Sequence, residues 1–267
     1  MASQPKETPG KKFDLINRGV KKSNPAGTGV FIGLRALDPV IQYGILAKGL
    51  GSGLLHKVGL ETLPALPPNT GTFLDGLGLS PYRLILLAMA TGTAVKQIFW
   101  LTATANEEFP PAAAVSVSLF NTFMNSLNTL AFTTVAVSAS LSDRSQFPQT
   151  PLLVGSALYT VGIALETYSE IYRKSFKDDP KNEGKLCTTG PWGIVRHANY
   201  LGYVMWRAGF ALASGGWALA AVVAATQSAD FITRAIPVLD DYCTSKYPAQ
   251  WEEYKTSTPY RLIPYVY

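Results

Sequence analysis

The sequence predicts an all-α membrane protein, a polytopic bundle of about six transmembrane helices. Its 267 residues are 47% hydrophobic and only 15% charged, whereas ordinary soluble domains carry about 25% charged residues. The charges also cluster, in the first 22 residues, in 166–185 and after Arg234. Long, nearly uncharged runs lie between these clusters, and this alternation is typical of chains that cross a membrane several times.

Each crossing helix requires about 20 apolar residues to span about 30 Å of hydrocarbon. A weaker window at 29–50 is interrupted by Arg35, Asp38 and Pro39. The pair Gly215-Gly216 is a helix breaker, and we expect it to form a tight turn between two windows. The five stronger windows are 80–101, 112–138, 151–171, 199–214 and 216–235.

The charge distribution predicts the orientation of these spans. The arm 1–28 is basic and has no apolar segment of the signal-peptide kind, so we expect an uncleaved arm on the cytosolic side. Six spans then place both termini in the cytosol. We expect 29–165 to be a transmembrane region with the substrate cavity and 166–267 to be a C-terminal region with a cofactor site, in which 172–198 and 236–267 face the cytosol.

Composition also argues against several classes of site. The net charge is +5, but no basic stripe is interleaved with stacking aromatic residues, so we expect no nucleic-acid partner. Cys187 and Cys243 fall in segments expected to be cytosolic, where disulfides are rare. Two histidines and two distant cysteines do not form a metal-binding pattern.

The window 112–138 carries polar residues at steps of three and four, which place them on one helix face. Two interpretations remain open for this face: hydrogen bonding between helices, or the polar wall of an internal ligand cavity. Residues of the neighbouring windows could face the same cavity. The polar face comprises Ser118, Asn121, Asn125 and Asn128, and the neighbours are Lys96, Gln97, Glu166, Tyr168 and Glu170.

The segment 166–203 gathers cations and directional hydrogen-bonding groups beside a membrane span. Arg173, Lys177 and Lys185 suit an anionic ligand, although lipid headgroups would attract them equally. The stretch "GPWGIVRHANYLGY" adds a dense group of polar side chains, among which a lone histidine is more often structural than catalytic. That group is Arg196, His197, Asn199 and Tyr200.

The tail 236–267 contains a second polar and aromatic group. Tyr247, Trp251 and Tyr254 follow one another at steps of four and three, so we expect one aromatic helix face. This face has two interpretations, an interfacial aromatic belt or a platform for a flat cofactor ring. Asp240, Asp241, Lys246 and Arg261 accompany it.

Segment 166–203 resembles the C-terminal half of the steroid 5-alpha-reductase-like membrane family. The tail "CTSKYPAQWEEYKTSTPYRLIP" is similar to the end of the sterol C14- and C7-reductases. The chain departs from these patterns at Ala198, Tyr203 and Leu239. The matching positions of the first pattern are Glu166-Thr167, Arg173, Phe176-Lys177, Asp179-Pro180, Asn182, Gly184, Thr189-Gly190, Trp192, Arg196-His197, Asn199-Tyr200 and Gly202.

The resemblance implies an NADPH pocket at the cytosolic side, reduction of a carbon–carbon double bond in an isoprenoid or steroid-like substrate, and a multi-pass protein of the endoplasmic reticulum. Arg173 and Lys177 would hold cofactor phosphates. Tyr200, with Glu166 and Tyr168 as guesses from position, would be catalytic. The remaining cofactor contacts would be Trp192, Arg196, His197, Asn199, Tyr200, Asp240, Cys243, Lys246, Tyr247 and Tyr254.

Two other functions remain open. Pro191 and Tyr203 are similar to the motif of the isoprenylcysteine carboxyl methyltransferases, which use S-adenosylmethionine, and Asp240-Asp241 could replace the acidic pair of those enzymes. The third possibility is a non-catalytic protein that binds membrane lipid. Titration with NADPH and with S-adenosylmethionine side by side separates the three classes.

Overall fold

The structure, a computed structural model, describes residues 22–65, 68, 70–105, 107–142 and 147–267. The described residues form eight α-helices and no strand, so the predicted all-α fold is confirmed. The first 21 residues of the expected cytosolic arm lie outside the described residues. The helices are α1 (Pro25–Lys48), α2 (Ser52–Lys57), α3 (Pro81–Phe99), α4 (Pro111–Thr133), α5 (Thr150–Asp178), α6 (Ala198–Asp230), α7 (Ile236–Lys246) and α8 (Pro248–Ser257).

Helix α1 begins four residues before the expected window and runs through its polar interruptions. Pro25 opens the helix, and the Asn24 side chain accepts a hydrogen bond from the Gly27 N–H at 3.0 Å. Proline suits the first turn because its fixed φ is already helical and its missing N–H would have no partner there. The apparent interruptions Arg35 and Asp38 form an ion pair with each other at 2.8 Å.

Four helical stretches are long and apolar enough to cross a membrane: Pro25–Lys48, Pro81–Thr104, Thr150–Asp178 and Ala198–Lys246. Helix α4 has sufficient length but is not among them, since its asparagines lower the mean hydropathy. The stretch from Ala198 to Lys246 has 49 residues, which at about 1.5 Å each is more than twice the hydrocarbon thickness.

The backbone of that stretch breaks at Gly216, where φ is 74° and ψ is −169°. Only glycine adopts this conformation readily, so the break lies where the sequence predicted a turn between two windows. With α4, this break accounts for all six predicted windows. The number of crossings itself stays a prediction.

Helices α5 and α6 are antiparallel and approach so closely that their backbones touch. Gly162 faces Gly202, and seven residues away on each helix Gly155 faces Gly209. A Cβ atom added at Gly202 would lie 2.6 Å from the Glu166 nitrogen, and one added at Gly155 would lie 2.6 Å from the Gly209 oxygen. Small residues at such positions allow helices in a membrane to pack through van der Waals contact.

The C-terminal region contains a helix end that the sequence did not predict. Helix α7 ends at Lys246, and Tyr247 adopts a non-helical conformation (φ −135°, ψ 54°) before Pro248 opens α8. The expected single aromatic helix face is therefore wrong at Tyr247. Proline cannot donate the backbone hydrogen bond that would continue α7. Trp251 and Tyr254 do pack together, with ring centroids 5.6 Å apart.

The glycine contact predicts a specific sensitivity. Gly162→Ala places a methyl group 2.7 Å from the Gly202 carbonyl oxygen, and because neither backbone can yield freely we expect roughly 1–3 kcal/mol of destabilisation. Thermal unfolding of the detergent-purified protein measures this effect. Gly29→Ala is the matched control, since it lies on a helix with no atom within 4 Å of an added Cβ. Equal melting temperatures for the two variants would contradict the proposed contact.

Candidate active site

Glu170 joins α5 to α6 at the outer end of the candidate site. Its two carboxylate oxygens accept hydrogen bonds from Arg173 Nη2 at 2.6 Å and from Asn199 Nδ2 at 2.7 Å. The carboxylate is buried, so both donors offset the cost of removing its charge from water. The structure therefore brings together two predicted cofactor residues, Arg173 and Asn199, on one carboxylate.

One helical turn further into the bundle, Glu166 joins three helices. It forms an ion pair with Lys96 of α3 and accepts a hydrogen bond from the Trp206 indole of α6 at 2.6 Å. Lys96 and Glu166 thus contact each other directly, and their expected position in the wall of a ligand cavity stays a prediction. Trp206 is completely buried. Its indole N–H has a hydrogen-bond partner at this depth, and its ring packs against Tyr203, Tyr159 and Arg207, as burial of a tryptophan requires.

Tyr168 does not share this interior position. It is 56% exposed and packs against Tyr172 at 6.0 Å on the outer side of α5. Positions 166 and 168 are about 200° apart around a helix, so the Tyr168 side chain must point away from the side of α5 that carries Glu166. This corrects the expectation that Tyr168 faces the cavity.

The asparagine face of α4 meets α1, α3 and α6 in a buried polar network. Asn125 Nδ2 donates to Asp38 at 2.6 Å, and Asn121 accepts from Gln97 Nε2 at 2.6 Å. Arg207 of α6 donates to the side-chain oxygens of both asparagines. Helix–helix hydrogen bonding, one of the two interpretations of this face, is therefore present at Asn121 and Asn125. Asn128 has no hydrogen-bond partner for either side-chain atom among the described residues.

Three cations lie together where α5 meets the tail. Lys177 Nζ donates to the Tyr247 hydroxyl at 3.1 Å and lies 4.8 Å from the centroid of that ring. Lys246 Nζ lies 5.5 Å from the same centroid, and Arg173 lies over the Trp192 ring at 5.4 Å. Lys177 Nζ also donates to the Lys185 carbonyl oxygen, and within the described chain neither Lys177 nor Lys246 forms an ion pair with a carboxylate. Lys185 lines an adjoining groove of about 290 Å³.

Tyr200 occupies the middle of an aromatic stack. Its ring is nearly parallel to that of His197 (9°, centroids 5.3 Å apart) and to that of Phe231 (10°, 4.4 Å). Phe231 was missed by sequence reasoning, since it lies 31 positions after Tyr200 at the far end of a long helical stretch. The available signal was its position near the end of the last predicted window, the end that the sequence analysis expects to face the cytosol.

Arg196 and His197 form hydrogen bonds with the C-terminal tail, and the His197 contact runs from its backbone N–H to the Arg261 carbonyl oxygen at 3.0 Å. The Arg196 guanidinium donates to the carbonyl oxygens of Thr258 at 2.8 Å and Pro259 at 3.2 Å, and its backbone N–H donates to Tyr260 at 2.9 Å. Burial, helped by the positive charges of Arg196 and Arg261, lowers the pKa of His197 to about 3. Both residues thus help to fix the tail in place. Their contact with a cofactor stays a prediction.

The other predicted tail residues are likewise engaged with one another. Cys243 packs with Trp251 and Tyr254 in a buried cluster, and Asp240 accepts from the Trp251 indole at 2.7 Å. The Tyr254 hydroxyl donates to the Trp192 carbonyl at 2.5 Å, and burial raises the pKa of Tyr254. Trp192 in turn donates its indole N–H to Ser169 of α5 at 3.1 Å. This chain of contacts holds the tail against α5.

Comparison with known protein families identifies the family to which the chain belongs. The family described as "Protein of unknown function (DUF1295)" matches residues 105–258, more than half of the sequence. The chain belongs to the DUF1295 family. DUF1295 is a steroid 5-alpha-reductase-like family, so this match confirms the resemblance found in the C-terminal motifs.

Individual relatives fall into two groups. The probable O-methyltransferase ustE of Ustilaginoidea virens is 40% identical over 240 residues, which cover 88% of this chain and 84% of the relative. The 7-dehydrocholesterol reductase of Danio rerio is 31% identical over 90 residues, 34% of this chain and 19% of that enzyme. The Delta(14)-sterol reductase of Arabidopsis thaliana is 28% identical over 134 residues, 43% of this chain and 34% of that enzyme. The reductase similarity is thus local, whereas the ustE similarity extends over nearly the whole chain.

His197 predicts a pH dependence of stability. The folded pKa near 3 lies below the unfolded value of about 6.5, so the unfolded state binds more protons as the pH falls through 6.5. Stability is therefore fully present above pH 6.5 and declines by up to roughly 1.4 kcal/mol per pH unit below it. His197→Phe keeps a stacking ring that cannot be protonated. We expect a flatter melting-temperature profile between pH 6.5 and 5 for this variant, and parallel profiles would contradict the assignment.

Proposed function

We propose that this protein is an NADPH-dependent membrane reductase that adds hydride to a carbon–carbon double bond of a lipophilic substrate. One observation carries the proposal: Lys177 and Lys246, where α5 meets the tail, form no ion pair within the described chain, whereas the two glutamates of α5 do. Glu166 and Glu170 are both in ion pairs. Lys177, by contrast, donates to the Tyr247 hydroxyl and the Lys185 carbonyl oxygen, and Lys246 donates to the Tyr242 hydroxyl. Neither lysine contacts a carboxylate of the described chain.

This contrast favours a phosphorylated cofactor. NADPH carries three phosphate groups, which lysine and arginine bind through charge-assisted hydrogen bonds. S-adenosylmethionine carries a sulfonium and an ammonium, for which free carboxylates would be the better partners. The local similarity to parts of two sterol reductases supports the same choice.

When bound, NADPH supplies the hydride, and the chain supplies binding, orientation and charge. Arg173, Lys177 and Lys246 would hold the phosphates. Asn199, fixed by Glu170, and Tyr200, fixed in its stack, would orient the reactive ring toward the bundle. Hydride adds to one carbon of the double bond, and a proton derived from solvent adds to the other, so the double bond becomes single and the cofactor is oxidised.

The second candidate is S-adenosylmethionine-dependent methyl transfer. The observation that favours it is the 40% identity to a probable O-methyltransferase over most of both chains. In that reaction the methyl group of the sulfonium would pass to a substrate oxygen. Asp240 and Asp241, the acidic pair of the tail, would be the groups to face the cofactor.

The location of Arg173, Lys177 and Lys246, here called the cation cluster, predicts which side of the membrane the tail occupies. A cytosolic cofactor requires the cytosolic side for Lys177, Lys246 and the tail, so we propose an endoplasmic reticulum protein with both termini in the cytosol. The C-terminus should then be accessible to protease in sealed microsomes whose cytosolic side faces outward. Protection of a C-terminal tag in those microsomes would contradict this orientation.

The cation cluster provides the test of the cofactor. Lys177→Ala should weaken NADPH binding by roughly tenfold, the scale of one charge-assisted hydrogen bond. Equilibrium titration of the detergent-purified protein measures it. Lys174→Ala is the matched control, since Lys174 lies one turn away on α5 and is paired with Asp178 at 2.6 Å. We expect its affinity for NADPH to equal that of the unsubstituted protein.

The same titration run with S-adenosylmethionine separates the candidates. Binding of NADPH alone, lost in Lys177→Ala and retained in Lys174→Ala, supports the reductase. Binding of S-adenosylmethionine alone would replace it with the methyltransferase. Binding of neither would leave the non-catalytic, lipid-binding protein.

A further inference from the structure

A cavity of about 280 Å³ lies between the end of α1 and the beginning of α3. Two cations line it, Lys48 and Arg83, and its other polar residues are Ser52, Thr62 and Thr133. Among the described residues, no aspartate or glutamate lines it. The cavity therefore presents positive charge and uncharged polar groups, without a carboxylate of the protein to balance the charge.

The cavity lies at the end of the bundle opposite the cation cluster. The Tyr159 hydroxyl donates to the Met89 carbonyl oxygen at 2.7 Å, and Lys96 is paired with Glu166. These two contacts advance together along both helices, so α3 and α5 are parallel. Arg83 precedes Lys96 by 13 residues, or about 20 Å at 1.5 Å per residue, whereas the cation cluster begins beyond Glu166 on α5.

Arg83 is buried and donates to backbone carbonyl oxygens. Its Nη1 bonds Leu46 at 2.8 Å, and its Nη2 bonds Pro64 at 2.9 Å with a longer contact to Leu63 at 3.4 Å. Within the described residues these bonds use three of the five N–H groups of the guanidinium, so two remain for a ligand. Carbonyl groups carry no net charge, and a buried cation without a counter-charge is costly.

Lys48, the last residue of α1, is the second cation of the cavity. It is exposed, and its ammonium forms no hydrogen bond or ion pair within the described chain. The negative end of the α1 dipole attracts both cations, but it is equivalent to only about half an elementary charge. Most of the two positive charges is therefore left for an anionic ligand to balance.

The surroundings of the cavity match the place where a lipid headgroup meets its acyl chains. One candidate membrane span ends at Lys48 and the next begins at Pro81, so the cavity lies at the level where these helices leave the hydrocarbon. Ile45 and Leu63 line its apolar side, and Leu50, which is 55% exposed, also lines it. An anionic group attached to apolar chains fits this combination.

We propose that this cavity binds the phosphate group of an anionic ester, held by Arg83 and Lys48, and that a membrane phospholipid is its source. Guanidinium groups bind two phosphate oxygens through parallel hydrogen bonds, and an ammonium adds a point charge. The bound phosphate would join the end of α1 to the beginning of α3. The site lies apart from the proposed cofactor site and does not depend on the reaction.

Native mass spectrometry of the detergent-purified full-length protein tests the proposal, with dioleoylphosphatidylglycerol as the probe. We expect one lipid per chain to bind saturably. Dioleoylglycerol has the same acyl chains and no phosphate, so it should bind at least about tenfold more weakly, the scale of one charge-assisted hydrogen bond. Excess glycerol 3-phosphate distinguishes the source. Displacement of the lipid shows that a soluble phosphate ester suffices, retention shows that the acyl chains are required, and either result supports a phosphate site.

Variants of Lys48 carry the test, because this side chain is exposed at a helix end and its replacement leaves the helix contacts intact. Lys48→Gln should weaken binding of the phospholipid roughly tenfold, and Lys48→Glu should abolish saturable binding. Lys57→Gln and Lys57→Glu are the matched controls, since Lys57 is exposed at the end of α2 and does not line the cavity. We expect both controls to bind as the unsubstituted protein does.

Equal affinity for the two lipids, or equal effects of the Lys48 and Lys57 variants, would overturn the proposal. Arg83 would then be a structural cation that holds residues 63–64 against α1, and the cavity would contain water. Because the measurement involves no nucleotide, its outcome is independent of the cofactor titration and of the proposed function.

Discussion

The close contact between α5 and α6 determines the geometry of the whole candidate site. Glycines at 155 and 162 of one helix face glycines at 209 and 202 of the other, and there is no space for a Cβ atom between the backbones. At that separation the side chains that flank the glycines must meet directly. Glu166 reaches Trp206, and Glu170 reaches Asn199. A wider spacing would leave both carboxylates buried without these donors, which is costly in a medium that offers no water.

The polar groups of the candidate site lie at three successive depths in the helix bundle. The outermost are Arg173, Lys177 and Lys246, of which Arg173 alone is paired with a carboxylate in the described chain. Next come the two carboxylates, each neutralised by a cation and an uncharged donor. Deepest is Arg207 among the asparagines of α4. The partly exposed cations therefore lie toward the surface of the bundle, whereas Arg207 lies in its buried interior.

Several residues of the motif 190–203 form hydrogen bonds with the C-terminal tail. The Arg196 guanidinium donates to carbonyl groups that follow α8, and the His197 backbone N–H donates to the Arg261 carbonyl oxygen. The Tyr254 hydroxyl donates to the Trp192 carbonyl oxygen. The motif and the tail are about 60 residues apart in sequence, yet each satisfies the polar groups of the other. The tail is therefore held against the motif by contacts that both segments contribute.

The sequence by itself determined the all-α class, the approximate helix limits, the break at Gly216 and the cationic segment near Lys177. These depend on hydropathy, local backbone preference and charge, which are properties of neighbouring residues. Only the tertiary structure decided that Tyr168 points outward, that α7 ends before Tyr247, and that Arg207 meets the face of Asn121 and Asn125. Helical periodicity establishes which residues share a face, but not which helix that face will meet. Arg207 and Asn121 are 86 residues apart, so their contact depends on how the helices pack.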